Sequence, residues 1–356
     1  MYEQLLTPYR DELGDEFLSN LAQLLREHNS KPHSSTRRSS AVLSDLSQRQ
    51  RAQHLAAGFV DIRRLGYKIQ SPNRLKRAHA EALIQHWKSS GVSNGAIQNR
   101  VSAFRALAKW LNKPTVVPTL SDMEILVEAK LGRARVAQRD RSWSGNGVDV
   151  GSVLEQVRMI DARVAIQLEL QMAFGLRRKE AAMLIIESAI EDMTSRLRIQ
   201  VVRGTKGGRA REVQVSDVVQ LDVLLRAELL ANGTTGSTIP SDYTLDRWRS
   251  RYYYVMRAVG CTRNGDGALG VTSHGLRHEY LHRRFEQITG LPAPVKAEAD
   301  RTVVFDSVAL EAAMRRIVSD AGHSDKYKAS SYLGSMRVRK SVRDLGELLS
   351  VDEEKR

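Results

Sequence analysis

One stretch of this chain alternates apolar and polar residues as β-strands do. Residues 197–201 alternate, a turn with three glycines follows, and residues 213–215 alternate on the return. A period of two marks strands with one buried face, so the stretch predicts a hairpin with Lys206 at its tip. Apolar residues elsewhere recur mostly at helical spacing. We therefore expect a mainly α fold with a small antiparallel β-sheet, in the α+β class.

The charge balance of the chain is strongly basic. It carries 55 Lys and Arg against 41 Asp and Glu, a formal net charge of +14. This excess favours a polyanionic partner such as DNA or RNA, the alternative being a charge that only keeps the protein soluble. The single cysteine, Cys261, excludes an internal disulfide framework and a cysteine-based zinc cluster. The sequence shows neither a signal peptide nor an apolar run of about 18 residues, so we expect a cytoplasmic protein without membrane contact.

Breaks in the helical pattern divide the chain. Prolines within residues 114–118 and a glycine-rich run at 142–151 predict a hinge between two domains. We expect four segments: an N-terminal helical domain (1–113), a linker (114–150), a second domain (151–340) and a C-terminal tail (341–356).

The N-terminal domain contains two predicted helices on either side of Gly91, and Ser93 is the expected N-cap of the second. Arg100 and Arg105 fall off the apolar face of that second helix, where they could reach a DNA backbone. Such a module suits DNA binding, and a plain helical hairpin fits the same pattern equally well.

The second domain carries a set of residues that together point to one chemistry. In chain order these residues are Arg177, Lys206, His274, Arg277, His323 and Tyr332. A tyrosine hydroxyl is a weak nucleophile at neutral pH and needs a positive field and a proton acceptor. Guanidinium groups suit the charge that gathers on an attacked phosphodiester, and a lysine on a turn can protonate the leaving oxygen. The set therefore indicates phosphoryl transfer to tyrosine without a metal.

These motifs resemble those of the tyrosine recombinase (phage integrase) family, in particular integrases of proteobacterial prophages and integrative elements. The resemblance rests on Gly-Leu-Arg-x-x-Glu at 175–180, on Lys-Gly at 206–207 followed by Arg211, and on His-x-x-Arg at 274–277. It also rests on Gly-His at 322–323 with a tyrosine nine residues later. The N-terminal half is similar to the family's core-binding domain, so the resemblance spans most of the chain. It implies a C-shaped clamp around DNA, formed by an all-α core-binding domain and a catalytic domain.

The resemblance also implies a role for each residue. Arg177 and Arg277 would hold the scissile phosphate, and Lys206 would be the general acid toward the 5′-oxygen. His274 would accept the tyrosine proton or bond the phosphate, and His323 would bond a non-bridging oxygen. Tyr332 would form a 3′-phosphotyrosine link. Glu180 would position its neighbours, and Arg211, Arg100 and Arg105 would contact DNA.

Three other functions share part of these features. Residues 278–282 match the His-Glu-x-x-His pattern of zinc peptidases, but no third ligand motif follows, and the pattern leaves the basic charge unexplained. A type IB topoisomerase would share most of the site and relax DNA as a monomer. A non-catalytic DNA-binding accessory protein would need no tyrosine there. Tyr327, four residues after His323, is the rival nucleophile.

The resemblance implies double-stranded DNA as substrate, a homotetramer on two synapsed sites, an accessory DNA-bending protein, and a place on the nucleoid. It implies integration or excision of a mobile element, with no cofactor, metal or ATP. One departure stands out, because residues 290–305 lengthen the interval between Arg277 and His323. That insertion could be an added strand, a contact with another protomer or a surface loop. The apolar stripe of residues 341–349 could bind a neighbouring protomer.

Overall fold

A computed structural model of the chain describes residues 1–31, 42–132, 135–296, 305–323, 325–335 and 338–339. The chain divides into two compact units, Met1–Arg133 and Ala134–Arg356. This division falls inside residues 114–150, the segment predicted as a linker. The exact limits of the four predicted segments stay predictions. The predicted tail, residues 341–356, lies outside the described residues. The expected contact of residues 341–349 with a neighbouring protomer therefore stays a prediction. No helix in the described part of the chain is both long and apolar enough to cross a membrane.

In the described residues of the first unit, the regular elements are α-helices and short 3₁₀ turns. Its α-helices are α1 (Tyr2–Leu6), α2 (Arg10–Leu13), α3 (Asp15–His28), α4 (Asp45–Arg64), α5 (Arg77–Ser89), α6 (Asn94–Trp110) and α7 (Leu120–Leu126). The predicted cap of α6 is present, since Ser93 Oγ accepts from the Ala96 N–H at 3.4 Å. Gly58 on α4 lets the ring of Phe104 approach, because a Cβ there would stand 2.5 Å from that ring. The helices pack around one hydrophobic core that includes the rings of Phe59 and Phe104.

The second unit is mainly helical. Its α-helices are α8 (Val150–Ile160), α9 (Ala162–Phe174), α10 (Arg178–Met183), α11 (Ile186–Arg196), α12 (Val218–Glu228), α13 (Leu245–Ala258), α14 (His274–Thr289), α15 (Ser307–Asp320) and α16 (Ser330–Leu333). Helix α9 is buried almost along its whole length and packs against α8, α10, α12 and α14. Its Gln171 side chain donates to the Tyr252 hydroxyl at 2.9 Å, which ties α13 to α9. The central helix thereby fixes the elements that carry the site.

The predicted hairpin is confirmed. Strand β1 (Arg198–Val201) pairs antiparallel with β2 (Arg211–Gln214), and Ile199 faces Val213 in the register. Lys206 lies in the short 3₁₀ turn Lys206–Gly208 between them. A second pair joins β3 (Phe305–Asp306) to β4 (Val338–Arg339) in parallel. The fold is thus mainly α with a small antiparallel sheet, as expected, and the end of the insertion at 290–305 forms a short strand.

Candidate active site

The turn that carries Arg177 is set by a glycine. Gly175 ends α9 in the left-handed conformation, with φ of 61°, and the ring of Tyr280 occupies the space where its side chain would stand. Leu176 is fully buried, so the chain re-enters the core before Arg177 caps α10. The Arg177 N–H donates to Glu180 Oε2 at 2.7 Å, and Arg177 Nη1 donates to Oε1 at 2.6 Å. Local geometry therefore fixes the arginine at the helix start.

Glu180 is a fully buried carboxylate that links two arginines. Besides its bonds to Arg177, the carboxylate accepts a hydrogen bond from Arg211 Nη2 at 2.7 Å through Oε2. Arg277 Nη1 lies 4.0 Å from the same oxygen. Burial alone would raise the pKa of this carboxyl, but the charges of Arg211 and Arg177 and the Arg177 N–H hold that pKa below its ordinary value. Glu180 stays ionised and compensates part of the positive charge.

Arg277 is fully buried on the first turn of α14. Its guanidinium donates to the carbonyl oxygens of Gly175 and Ala321. Arg177 Nη2 donates to the same Ala321 oxygen at 3.1 Å, so the two arginines converge on one carbonyl. Burial, with the charges of Arg177 and Arg211, lowers the pKa of Arg277 to about 10. Arg277 remains a cation at neutral pH.

Gly322 and His323 follow that carbonyl directly. Gly322 has φ of 62°, and a Cβ there would stand 2.5 Å from Arg211 Cδ, so only glycine fits against the arginines. His323 Nε2 lies 3.2 Å from the Tyr332 hydroxyl. Partial burial, then the charges of Arg177 and Arg277, lower the pKa of His323 to about 4. His323 is therefore neutral at pH 7 and can accept or donate one hydrogen bond at that nitrogen.

Tyr332 lies where these groups meet. It is buried on α16, and its hydroxyl is 3.5 Å from Arg277 Nη2 as well as 3.2 Å from His323. The Arg277 guanidinium carbon lies 5.6 Å from the centre of the Tyr332 ring. Tyr327, the rival nucleophile, lies on a 3₁₀ turn with its side chain 70% exposed. The structure brings Tyr332, not Tyr327, to Arg277.

Two further histidines extend from His274 along α14, at His278 and His282. The ring centroid of His274 is 6.4 Å from that of Tyr332, whereas His278 is at 5.0 Å. Burial and nearby arginines lower the pKa of His274 to about 4, and burial with both neighbouring histidines lowers that of His278 to about 2. His278 was not among the predicted site residues. Its signal was the four-residue spacing from His274, which places both on one helix face.

Two residues of the His-Glu-x-x-His pattern on the same helix, Glu279 and His282, bond other segments of the second unit. The Glu279 carboxylate accepts from the Ser144 hydroxyl at 2.6 Å and from the Ser144 N–H at 3.1 Å. His282 Nε2 bonds the Tyr332 carbonyl oxygen at 2.9 Å. Among the described residues, no group of three or more His, Cys, Asp or Glu side chains is arranged to hold a metal ion.

Lys206 and Arg211 occupy contrasting positions. Lys206 is exposed at the hairpin turn, and its charge contributes to the low pKa of His323, after burial and the two site arginines. Arg211, predicted to contact DNA, is buried and donates to Glu180 and, at 2.6 Å, to the Asp320 carbonyl oxygen. This placement suits a residue that supports the other arginines.

The two predicted DNA contacts on α6 are partly buried. Arg105 Nη2 donates to the Pro118 carbonyl oxygen at 2.6 Å, and burial lowers the pKa of Arg105. The Arg100 guanidinium carbon lies 5.2 Å from the Trp87 ring centre. Both side chains therefore also make contacts within the first unit.

A cavity of about 450 Å³ opens beside His274. Arg178, Arg257 and Arg263 line it, and no acidic residue does so in the described part of the chain. Arg178 stacks over Tyr252 and Tyr253, with its guanidinium carbon 5.7 and 5.4 Å from the ring centres. The surroundings of the site are thus positively charged on this side.

Comparison with known proteins gave matches to two family models. The model described as "Integrase" matches residues 140–282, and the model described as "Phage integrase, N-terminal" matches residues 38–117. No curated protein matches the chain in sequence.

Two solved structures show the fold. A lambda integrase tetramer bound to a Holliday junction aligns with a TM-score of 0.54 at 11% identity, over 91% of this chain and 78% of that one. The Tn1549 transposon integrase (residues 82–397), in complex with circular intermediate DNA, aligns with a TM-score of 0.50 at 13% identity, over 93% of this chain and 99% of that one.

Proposed function

The chain belongs to the integrase family of tyrosine recombinases, and we propose that it cleaves and rejoins DNA at specific sites through a 3′-phosphotyrosine intermediate. The observation that carries this proposal is the Tyr332 hydroxyl, which lies 3.2 Å from the neutral His323 and 3.5 Å from Arg277. A buried tyrosine among arginines would be an odd feature of a protein that only binds DNA. It suits a nucleophile whose target carries negative charge.

In the proposed reaction the Tyr332 oxygen attacks the phosphorus, and the bond from phosphorus to the 5′-oxygen breaks. Arg177 and Arg277 hold the non-bridging oxygens, and the Nε–H of Arg277 has no acceptor among the described residues, which leaves a donor for that purpose. His323 is the group in contact with the hydroxyl and takes its proton. The family resemblance gave His274 either that proton or a bond to the phosphate. The His274 ring centroid lies 6.4 Å from that of Tyr332, against 6.1 Å for His323, so the bond to the phosphate is the role we propose for His274.

Lys206 supplies the proton that the departing 5′-oxygen needs. Its exposed position on the hairpin turn leaves it free to approach a bound strand. The phosphotyrosine bond conserves the energy of the phosphodiester, so attack by a 5′-hydroxyl reverses the step without ATP. His274 and the arginine-lined cavity beside it would contact the flanking strand.

The wider role rests on the family, since the chemistry alone would also serve a topoisomerase. We propose that both units contact double-stranded DNA, with Arg100 and Arg105 toward the backbone, and that four protomers exchange strands between two sites. Integration or excision of a mobile element, with an accessory DNA-bending protein, is the proposed process. The proposed place is the cytoplasm, on the nucleoid.

The test traps the intermediate on whichever target sequences the protein accepts. In a library of nicked duplexes with randomised sequence, the short fragment that carries the new 5′-hydroxyl diffuses away after cleavage, which leaves the protein on the 3′-phosphate. We expect a protein–DNA adduct that survives denaturation with the natural sequence and with Tyr327→Phe, and none with Tyr332→Phe. An adduct of undiminished yield in Tyr332→Phe would show that the nucleophile is another residue.

A further inference from the structure

The first part of the insertion, residues 291–296, lies against the helix that carries Tyr332, and we call it the brace. The Val295 N–H donates to the Leu333 carbonyl oxygen at 2.8 Å. Ala293 is fully buried in the core of the second unit. The brace is therefore an integral part of this unit beside the proposed nucleophile.

The brace has few degrees of freedom. It starts after Gly290, which ends α14 in the left-handed conformation with φ of 71°. Thr289 Oγ1 accepts from the Leu291 N–H at 3.2 Å, and Lys296 N–H donates to the Ala293 oxygen at 2.9 Å. Prolines at 292 and 294 fix two backbone φ angles between these bonds. A segment closed in this way can hold a neighbour at a defined distance.

Helix α16 depends on such outside support. With only four residues it is a single turn, too short to be stable by its own hydrogen bonds, and its carbonyl groups have few partners within it. Donors from elsewhere bond three of its carbonyl oxygens. The Ala137 N–H reaches the Ser330 oxygen at 2.9 Å, His282 Nε2 reaches the Tyr332 oxygen at 2.9 Å, and the brace reaches Leu333.

Gly334 lets the brace come close. It has φ of 90°, and a Cβ at this position would stand 3.1 Å from the Val295 nitrogen and 3.0 Å from its Cβ. A side chain would push the brace from α16 at the point where the Val295 bond forms. The chain therefore has a glycine directly after the helix of Tyr332.

His282 holds the same helix from α14. A carbonyl oxygen only accepts, so Nε2 is the nitrogen that carries the proton in the bond to Tyr332. The other ring nitrogen, Nδ1, lies 3.6 Å from Asp140 Oδ1, which accepts from the Ser142 N–H at 2.7 Å. His282 thus lies between Asp140 and the helix of Tyr332, and its hydrogen bond is the one to Tyr332.

We infer that the brace and His282 are positioning elements that fix the Tyr332 hydroxyl beside His323 and Arg277. This inference rests on the proposed function, since it concerns the same tyrosine. The brace fixes the backbone on the C-terminal side of Tyr332, and His282 fixes the carbonyl of Tyr332 itself. The bond from Ala137 fixes the start of the helix.

The first test separates cleavage from DNA binding. Val295→Pro removes the N–H that bonds Leu333, and Val295→Ala keeps it. His282→Ala removes the side-chain donor, and His282→Gln restores a donor at about the place of Nε2. We expect adduct formation at saturating DNA to slow about 10- to 100-fold in Val295→Pro and His282→Ala, because small displacements of a reacting group are costly. The half-saturating DNA concentration should stay unchanged in all four variants. The control variants, Val295→Ala and His282→Gln, should keep most of the cleavage rate.

The second test needs no DNA, so it stands even if no adduct is ever found. Hydrogen exchange of peptides covering residues 330–334 should speed up in Gly334→Ala. It should not change in Gly66→Ala, which has the same φ of 90° but nothing within 4 Å of the added Cβ. Unchanged exchange in Gly334→Ala would overturn the inference. So would equal cleavage rates in His282→Ala and His282→Gln. An adduct missing from the natural protein would overturn the proposed function instead.

Discussion

Replacement of Glu180 by glutamine tests whether one carboxylate holds the arginines together. Glutamine keeps an oxygen for one guanidinium but turns an amide N–H₂ toward another, and it leaves Arg177, Arg211 and Arg277 without their buried counter-charge. Removing one partner from a buried ion pair costs about 3–5 kcal/mol of the free energy of unfolding. In a unit of about 200 residues, each kcal/mol lowers Tm by about 2–4 °C, so we expect Tm of the second unit to fall by about 6–20 °C.

Scanning calorimetry measures this change, and added sulfate supplies an internal check. Sulfate can occupy the space between unpaired arginines, so it should raise Tm more in Glu180→Gln than in the natural sequence. Glu311→Gln is the matched control, because Glu311 lies on the surface and should shift the free energy of unfolding by no more than about 0.5 kcal/mol. A fall in Tm of less than about 2 °C for Glu180→Gln would refute the reasoning.

Two further outcomes are expected. His278 binds a proton more readily in the unfolded chain than in the folded one, because burial lowers its folded pKa to about 2. Burial also lowers the folded pKa of His274, His282 and His323. The stability of the second unit should therefore decrease as pH falls below about 6.5, and calorimetry at pH 7 and pH 5 should show a smaller decrease in His278→Gln. Lys206→Ala should slow cleavage about 10²- to 10⁴-fold, and a sulfur at the 5′-leaving position should restore the rate because a thiolate leaves without a proton. Arg209→Ala, in the same turn, should cleave normally, and a failure of sulfur to restore Lys206→Ala would remove the general-acid role.

The parts of the fold that were predictable from sequence depend on local chemistry. The hairpin followed from a period of two and a glycine turn, and the start of α6 followed from Ser93. Gly175 marks the end of α9 because the left-handed conformation there favours glycine. Such signals lie within a few residues of what they specify, so they survive in any tertiary context.

The remaining features arise from residues far apart in the chain. No periodicity places Arg177 and Arg277 on the same carbonyl of Ala321, since that meeting depends on how α14 packs against α15. Arg211 was expected to contact DNA, yet the hairpin carries it inward to Glu180. The bond from Val295 to Leu333 belongs to an insertion whose sequence has no helical or strand period.

The segment just before α8 has a practical consequence for dissecting this protein. Trp143 is fully buried and donates to the Thr272 carbonyl oxygen at 2.8 Å, Ser144 bonds Glu279, and Ala137 bonds the helix of Tyr332. A shortened polypeptide beginning at residue 151 would lack all three contacts and would expose the apolar side of α14 that Trp143 covers. A fragment intended to fold and cleave by itself should therefore begin near residue 134, where the second unit starts.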